Sequence, residues 1–230
     1  SFKPWIAYGV IKALIENTNI DTIITATTGN QGIAVSYVVS IISSMMRAQG
    51  RKLNVIVYVG RTTPLSKIET MQEFGATIIG DPHDGELSFK DYDAAYAAGQ
   101  TLAKSKEYAG RSYFVEHANM DALTGFAALG EIILDGLELA GKDLNKTAII
   151  IPVGAGGLAS GIAMAAKKRN ANIKIILVQT QRTKHAFDSL FAGWLLRYRD
   201  NDKKLFEESG IDTKMLEPLA LKVLRRLADG

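Results

Sequence analysis

The chain has 230 residues, 47% hydrophobic and 22% charged, enough to bury a substantial core in one large or two modest domains. Its 27 basic and 24 acidic residues are spread along the whole length, so the net charge of +3 leaves no electrostatic footprint for nucleic acid or an anionic membrane, and a small molecule is the expected partner. The absence of cysteine excludes disulfides, thiolate catalysis and zinc or iron–sulfur centres held by thiolate.

No apolar run approaches the roughly 18 residues that span a bilayer, and the opening Ser1-Phe2-Lys3-Pro4-Trp5 is not a signal peptide, so a soluble, cytoplasmic protein is expected. The sequence does not begin with Met. An incomplete chain is expected.

Residues 6–16 place Ile6, Val10, Leu14 and Ile15 at helical spacing, and the polar run Asn17-Thr18-Asn19 stops that helix. Residues 22–25 are a β-branched strand, followed by a polar turn over residues 27–32 and an apolar helix over residues 33–47. The same grammar recurs. Residues 55–59 read as a strand, residues 64–74 as a helix with Pro64 in its first turn, and residues 77–79 as another strand. An alanine-rich helix over 91–106, a short strand over 113–115 and a long helix over 121–140 come next. Residues 148–153 (AIIIPV), a glycine loop, a helix over 158–169 and a strand over 173–178 complete a further β-loop-α-β unit. Beyond Thr180, residues 184–198 and 217–228 read as helices and residues 197–204 as a charged, solvated connection. Strands alternating with helices define an α/β protein whose parallel sheet is covered on both faces.

In an open parallel sheet, ligands sit at the carboxyl ends of the strands. The loop Gly154-Ala155-Gly156-Gly157-Leu158 lies between a strand and a helix, where glycines let the backbone approach an anion and the helix start offers free N–H groups, so it should bind a phosphate. A tight turn without a ligand stays open. Gly154, Gly156 and Ala159 also satisfy the dinucleotide fingerprint. That site needs a carboxylate about 20 positions on, where this chain has Val178-Gln179-Thr180, and a triphosphate loop needs a Gly-Lys-Ser/Thr that is missing. The second loop, Thr27-Thr28-Gly29-Asn30-Gln31-Gly32, gathers hydroxyls, amides and flexible backbone suited to a carboxylate; a polar turn that merely caps the next helix is its alternative. The third feature is Lys3, beside apolar Phe2 and Trp5 and just ahead of a helix, where burial disfavours the ammonium form as a Schiff-base lysine requires. His83, His117 and His185 lie far apart with no metal-ligand spacing, so no metal is expected, and His83 sits in a surface turn.

In their order and spacing, Ser1-Phe2-Lys3, residues 27–32 and residues 154–158 resemble the fold-type II pyridoxal-phosphate (PLP) enzymes. That family includes the serine and threonine ammonia-lyases, threonine synthase, cysteine synthase and the tryptophan synthase β chain. Thr62-Thr63-Pro64-Leu65-Ser66-Lys67 with Phe74-Gly75-Ala76 is similar to the family's second strand–helix–strand unit, and the likeness runs from residue 1 to about residue 180. The resemblance implies a two-lobed, parallel-sheet, three-layer sandwich of the tryptophan synthase β-like type. Residues 26–120 would be the smaller lobe with the asparagine loop, and residues 1–25 and 121–230 the larger lobe with the lysine and the phosphate loop, the cofactor lying between them.

By the same resemblance Lys3 would carry PLP as a Schiff base, Asn30 would contact the ring hydroxyl, and Gly154, Ala155, Gly156, Gly157 and Leu158 would cradle the phosphate. Thr27, Thr28, Gly29 and Gln31 would bind the carboxylate of a small amino-acid substrate. The implied reaction is a β-elimination giving a 2-oxo acid and ammonia, within amino-acid metabolism. Implied partners are the amino acid and a second copy in a homo-oligomer, a dimer, with neither nucleic acid nor membrane. Ser-Phe ahead of Lys3, Ala7, and residues 91–108 resemble the ammonia-lyases, whereas Trp5 and Ile6 replace that pattern's arginine and glycine. A β- or γ-replacement synthase and an inactive family member are the alternatives. No equivalent of the residue that meets the pyridine nitrogen is assigned, Ser209-Gly210 being the nearest match in text.

Overall fold

The computed structural model describes residues 2–82, 89–181, 184–198 and 213–230. Ser1, the His83 turn, the Ser209-Gly210 match and most of the charged run 197–204 lie outside the described residues. The chain divides into two compact units, Ser1–Glu116 and His117–Gly230. The lobes drawn from the sequence divide it at other places.

The first unit is built on β1 (Thr22–Thr27), whose six residues are all buried. Beside it run β2 (Asn54–Val59) and β4 (Ser112–Phe114), with β3 (Ala76–Ile79) outside β2, giving a parallel sheet of order β3-β2-β1-β4. Side chains alternate across the pleat. Ile24, Ala26 and Tyr58 pack with Ala95 of α4 (Tyr92–Lys104) on one face. On the other, Gly32 of α2 (Asn30–Met46) comes close to Val57 and to Met71 of α3 (Leu65–Glu73). Helices on both faces make three layers. The register pairs Thr27 with Val59, so the loops leaving β1 and β2 emerge level at the carboxyl edge.

Ahead of β1, a 3-10 helix (Lys3–Ala7) runs directly into α1 (Tyr8–Glu16), and Ile6, Val10 and Leu14 are buried on one face. The 3-10 helix packs against α2. Pro64 stands one residue outside α3, at its N-cap in extended conformation, and not within the first turn. A proline there still leaves no orphaned donor.

In the second unit β5 (Ala148–Pro152) and β6 (Lys174–Val178) form a two-stranded parallel sheet. Ile151, Val153, Ile173 and Ile175 join the core with α6 (Gly157–Arg169), while Ile150 is 66% exposed. The expectation of strands covered on both faces therefore holds for β1 and not for β5. Small residues bring α5 (Met120–Leu139) and α6 together: a Cβ on Gly130 would lie 2.8 Å from Ala165 Cβ, and one on Gly161 2.7 Å from Leu123 O. The helix expected over 184–198 is shorter, α7 (His185–Ala192), because Gly193 adopts φ 86° and ends it.

The last residues after α8 (Pro218–Leu227) run along β6: Asp229 N donates to Ile175 O at 2.9 Å and Leu177 N to Gly230 O at 2.6 Å. The Asp229 carboxylate accepts from Lys167 Nζ (2.7 Å), Ile175 N (2.9 Å) and Lys174 Nζ (3.1 Å). These partners, Lys167 foremost, hold its carboxyl well below the ordinary 3.8. Asp229→Ala is expected to lower unfolding free energy by about 2 kcal/mol at neutral pH, the scale of hydrogen bonds to a charged group. The carboxyl pKa is depressed on folding, so the contribution is complete above the unfolded value and fades as pH falls toward the folded one. Denaturant titration of both proteins should show their difference shrinking below pH 3.8.

Candidate active site

The 27–32 loop leaves the buried end of β1. Thr27 Oγ1 accepts from Gly29 N (2.9 Å) and Gly32 N (3.1 Å), which fastens the loop to the strand. Gly29 has φ 142°, a conformation that L side chains rarely adopt. The α2 helix begins at Asn30, three residues before its sequence expectation, so Asn30, Gln31 and Gly32 form its first turn. Gln31 is buried, and its Nε2 donates to Thr25 Oγ1 at 3.1 Å. Thr28 and Asn30 are exposed. Among the described residues, the backbone N–H groups of Thr28 and Asn30 have no acceptor. Of the residues expected to meet a carboxylate, Thr27, Gly29 and Gln31 are buried, Thr27 and Gln31 holding the loop from behind, while Thr28 is exposed.

Lys3 opens the 3-10 helix, half-buried, with its Nζ 5.1 Å from the Phe2 ring centroid. Burial lowers its pKa from the ordinary 10.5. Desolvation destabilises the ammonium, so the neutral amine becomes available at lower pH, which nucleophilic attack requires.

The glycine loop of the second unit is held by its carbonyls. His185 Nε2 lies 3.2 Å from Gly154 O and 3.1 Å from Thr213 Oγ1, and Glu217 N donates to Ala155 O at 2.9 Å. Gly156, at φ 94°, packs under Ala220, Leu216 and Leu224. Gly157 abuts the carbonyl of His117. With the carbonyls of Gly154 and Ala155 engaged, the N–H groups of Gly154, Ala155, Gly156, Gly157 and Leu158 have no acceptor among the described residues. They surround the start of α6, whose first turn carries no acidic residue. Such a ring of unengaged donors at a helix start is chemically suited to an anion.

Sequence reasoning missed what stands behind that loop. Gln179, at the place where a dinucleotide site would carry its carboxylate, donates to Val153 O (3.0 Å) and accepts from Ala186 N (2.9 Å) and Phe187 N (3.2 Å). It ties the end of β5 to the start of α7. His185 is fully buried, with its Nε2 within hydrogen-bond distance of Gly154 O and Thr213 Oγ1. Among the described residues no cluster of His, Asp and Glu is placed to hold a metal ion, and no helix is long and apolar enough to cross a membrane.

Comparison with known proteins decides the family. The description "Pyridoxal-phosphate dependent enzyme" matches residues 1–230. The chain belongs to this family. It is 27% identical over 231 residues to the L-threonine ammonia-lyase of Thermotoga maritima, covering 100% of this chain and 50% of that protein. It is also 27% identical to the biosynthetic L-threonine dehydratase of Pasteurella multocida, with 100% and 39% covered. The chain therefore spans about half or less of the length of these curated relatives. Among solved structures, the processed form of threonine deaminase isoform 2 from Solanum lycopersicum superposes with a TM-score of 0.78 at 24% identity, over 100% of this chain and 56% of that one. Maize serine racemase gives 0.76 at 23%, over 100% and 61%. Their shared architecture is fold-type II.

The residues present fit the family's cofactor. A desolvated lysine suits an aldehyde, and five free N–H groups around a helix start, with no Cβ tolerated at Gly157, suit a phosphate.

Proposed function

We propose that this chain is the cofactor- and substrate-binding part of a PLP-dependent amino-acid lyase that removes a β-substituent from threonine or serine to give a 2-oxo acid and ammonia. The observation that carries this reading is the desolvated amine of Lys3, a half-buried lysine at the start of a helix and within the family's motif. When bound, PLP supplies an electron sink for the negative charge left at Cα.

The chain's own residues do the rest. Lys3 Nζ would hold the cofactor and, as a neutral amine, would take the Cα proton of the bound amino acid. The backbone of residues 154–158 would hold the phosphate, and the Asn30 amide would contact the ring hydroxyl. Thr28 and Gly29 receive the substrate carboxylate on a loop kept in shape by Thr27 and Gln31. Elimination is favoured over replacement because the relatives that match over the whole of this chain include an L-threonine ammonia-lyase and L-threonine dehydratases.

The test supplies PLP and then threonine, serine, and O-acylated or O-phosphorylated homologues, and measures 2-oxo acid and ammonia. Release of both from threonine or serine without a second nucleophile is the expected result. Product formation only when a thiol or another nucleophile is added would replace the lyase by a synthase.

A further inference from the structure

Lys67 is absent from every role assigned so far, yet it lies on the candidate carboxylate loop. A Cβ on Gly29 would collide with Lys67 Cδ and fall 2.9 Å from its Nζ and 3.0 Å from its Cε, so the lysine's stem crosses the Gly29 backbone and its ammonium ends beside it. The fold enforces this approach. Thr27 and Val59 are level in the sheet, α3 begins just after Pro64, and Ile68 and Met71 are fully buried, Met71 reaching Gly32 of α2. Lys67, one residue before Ile68, is thereby delivered to the start of α2.

Electrostatically the arrangement is incomplete. Lys67 sits in the first turn of α3, where the helix dipole disfavours a cation, and it borders the start of α2, where the dipole again presents positive charge. Neither first turn carries an acidic residue, and the Lys67 ammonium has no ion-pair or hydrogen-bond partner among the described residues. A cation and two positive helix ends at one loop, whose Thr28 and Asn30 are exposed, are complementary to a small anion.

We propose that Lys67 is the charged partner of the substrate's α-carboxylate, a substrate-binding residue that selects α-amino acids over amines and amides. The proposal rests on the reading of residues 27–32 as the carboxylate site. Thr28 and the free N–H of Asn30 orient the carboxylate, and Lys67 neutralises it.

The experiment loads wild type, Lys67→Met and Lys67→Arg with PLP and titrates each with L-serine and with L-serinamide, which lacks the negative charge, following the visible absorbance of the bound cofactor. Lys67→Met should weaken serine binding roughly 10-fold or more, an ion-pair-sized effect, and leave serinamide unchanged. Lys67→Arg should restore most of the preference for serine. Equal weakening of both ligands, or no change in either, overturns the proposal while leaving the lyase reading intact. A wild-type protein that takes up no PLP overturns both together. Matching thermal melts for the three proteins separate a binding effect from unfolding.

Discussion

Lys3→Ala should abolish conversion of threonine or serine to the 2-oxo acid, with a loss of at least roughly 10²- to 10⁴-fold from proton transfer alone. In the proposed mechanism Lys3 is both the cofactor's anchor and the base, so no other side chain is expected to substitute. Its desolvated amine also fixes a sign for stability. Folding lowers the Lys3 pKa, so the folded chain resists protonating this group. Stability then rises with pH between the folded value and 10.5, and at neutral pH the buried amine is a net cost. Lys3→Met should therefore be inactive yet at least as stable as wild type, as denaturant titration at neutral pH would show. A variant that is inactive because it is unfolded would not support this account.

Gly157→Ala is the second large effect. Its Cβ would collide with the carbonyl oxygen of His117 and fall 3.3 Å from Phe126 Cε2 and 3.5 Å from Ala118 Cβ. A backbone atom cannot swing aside as a flexible side chain can, so the start of α6 must shift, at a cost of about 1–3 kcal/mol for overpacking. The same shift would misdirect the N–H groups proposed to hold the phosphate. Losing one charge-assisted bond of about 1.5–3 kcal/mol weakens PLP binding roughly 10- to 100-fold. Gly136→Ala is the matched control: it lies in α5 with nothing near its Cβ position, and it should leave cofactor affinity unchanged. Equilibrium binding of PLP to the three proteins decides the point.

Much of this was legible in the sequence because the signals are local. The run Thr-Ile-Ile-Thr-Ala-Thr is β-branched and fully buried as a strand, and Asp91 and Asn119 accept from the N–H groups of Ala94 and Ala122 as N-caps of α4 and α5. The two glycine-containing loops declared themselves through the backbone freedom they require. Features that depend on packing between distant segments were not visible. Nothing around Gln179 announces that its amide will join β5 to α7, and nothing in Thr-Pro-Leu-Ser-Lys announces that Lys67 will cross Gly29. The overlong reading of α7 is different in kind. Gly193 was present as a stop signal, but apolar periodicity continuing through Trp194 and Leu195 masked it. Likewise, the open face of β5 follows from which elements pack against it, since the run AIIIP is more apolar than the TIITAT of β1.

The account stands on Lys3 Nζ as the atom that carries the cofactor. Borohydride reduction of the PLP-loaded chain, followed by peptide mass mapping, tests this most directly. The account predicts one stable phosphopyridoxyl group, on the peptide that contains Lys3. A group fixed to any other lysine, Lys67 included, or no fixed group on a chain that demonstrably binds PLP, would contradict it.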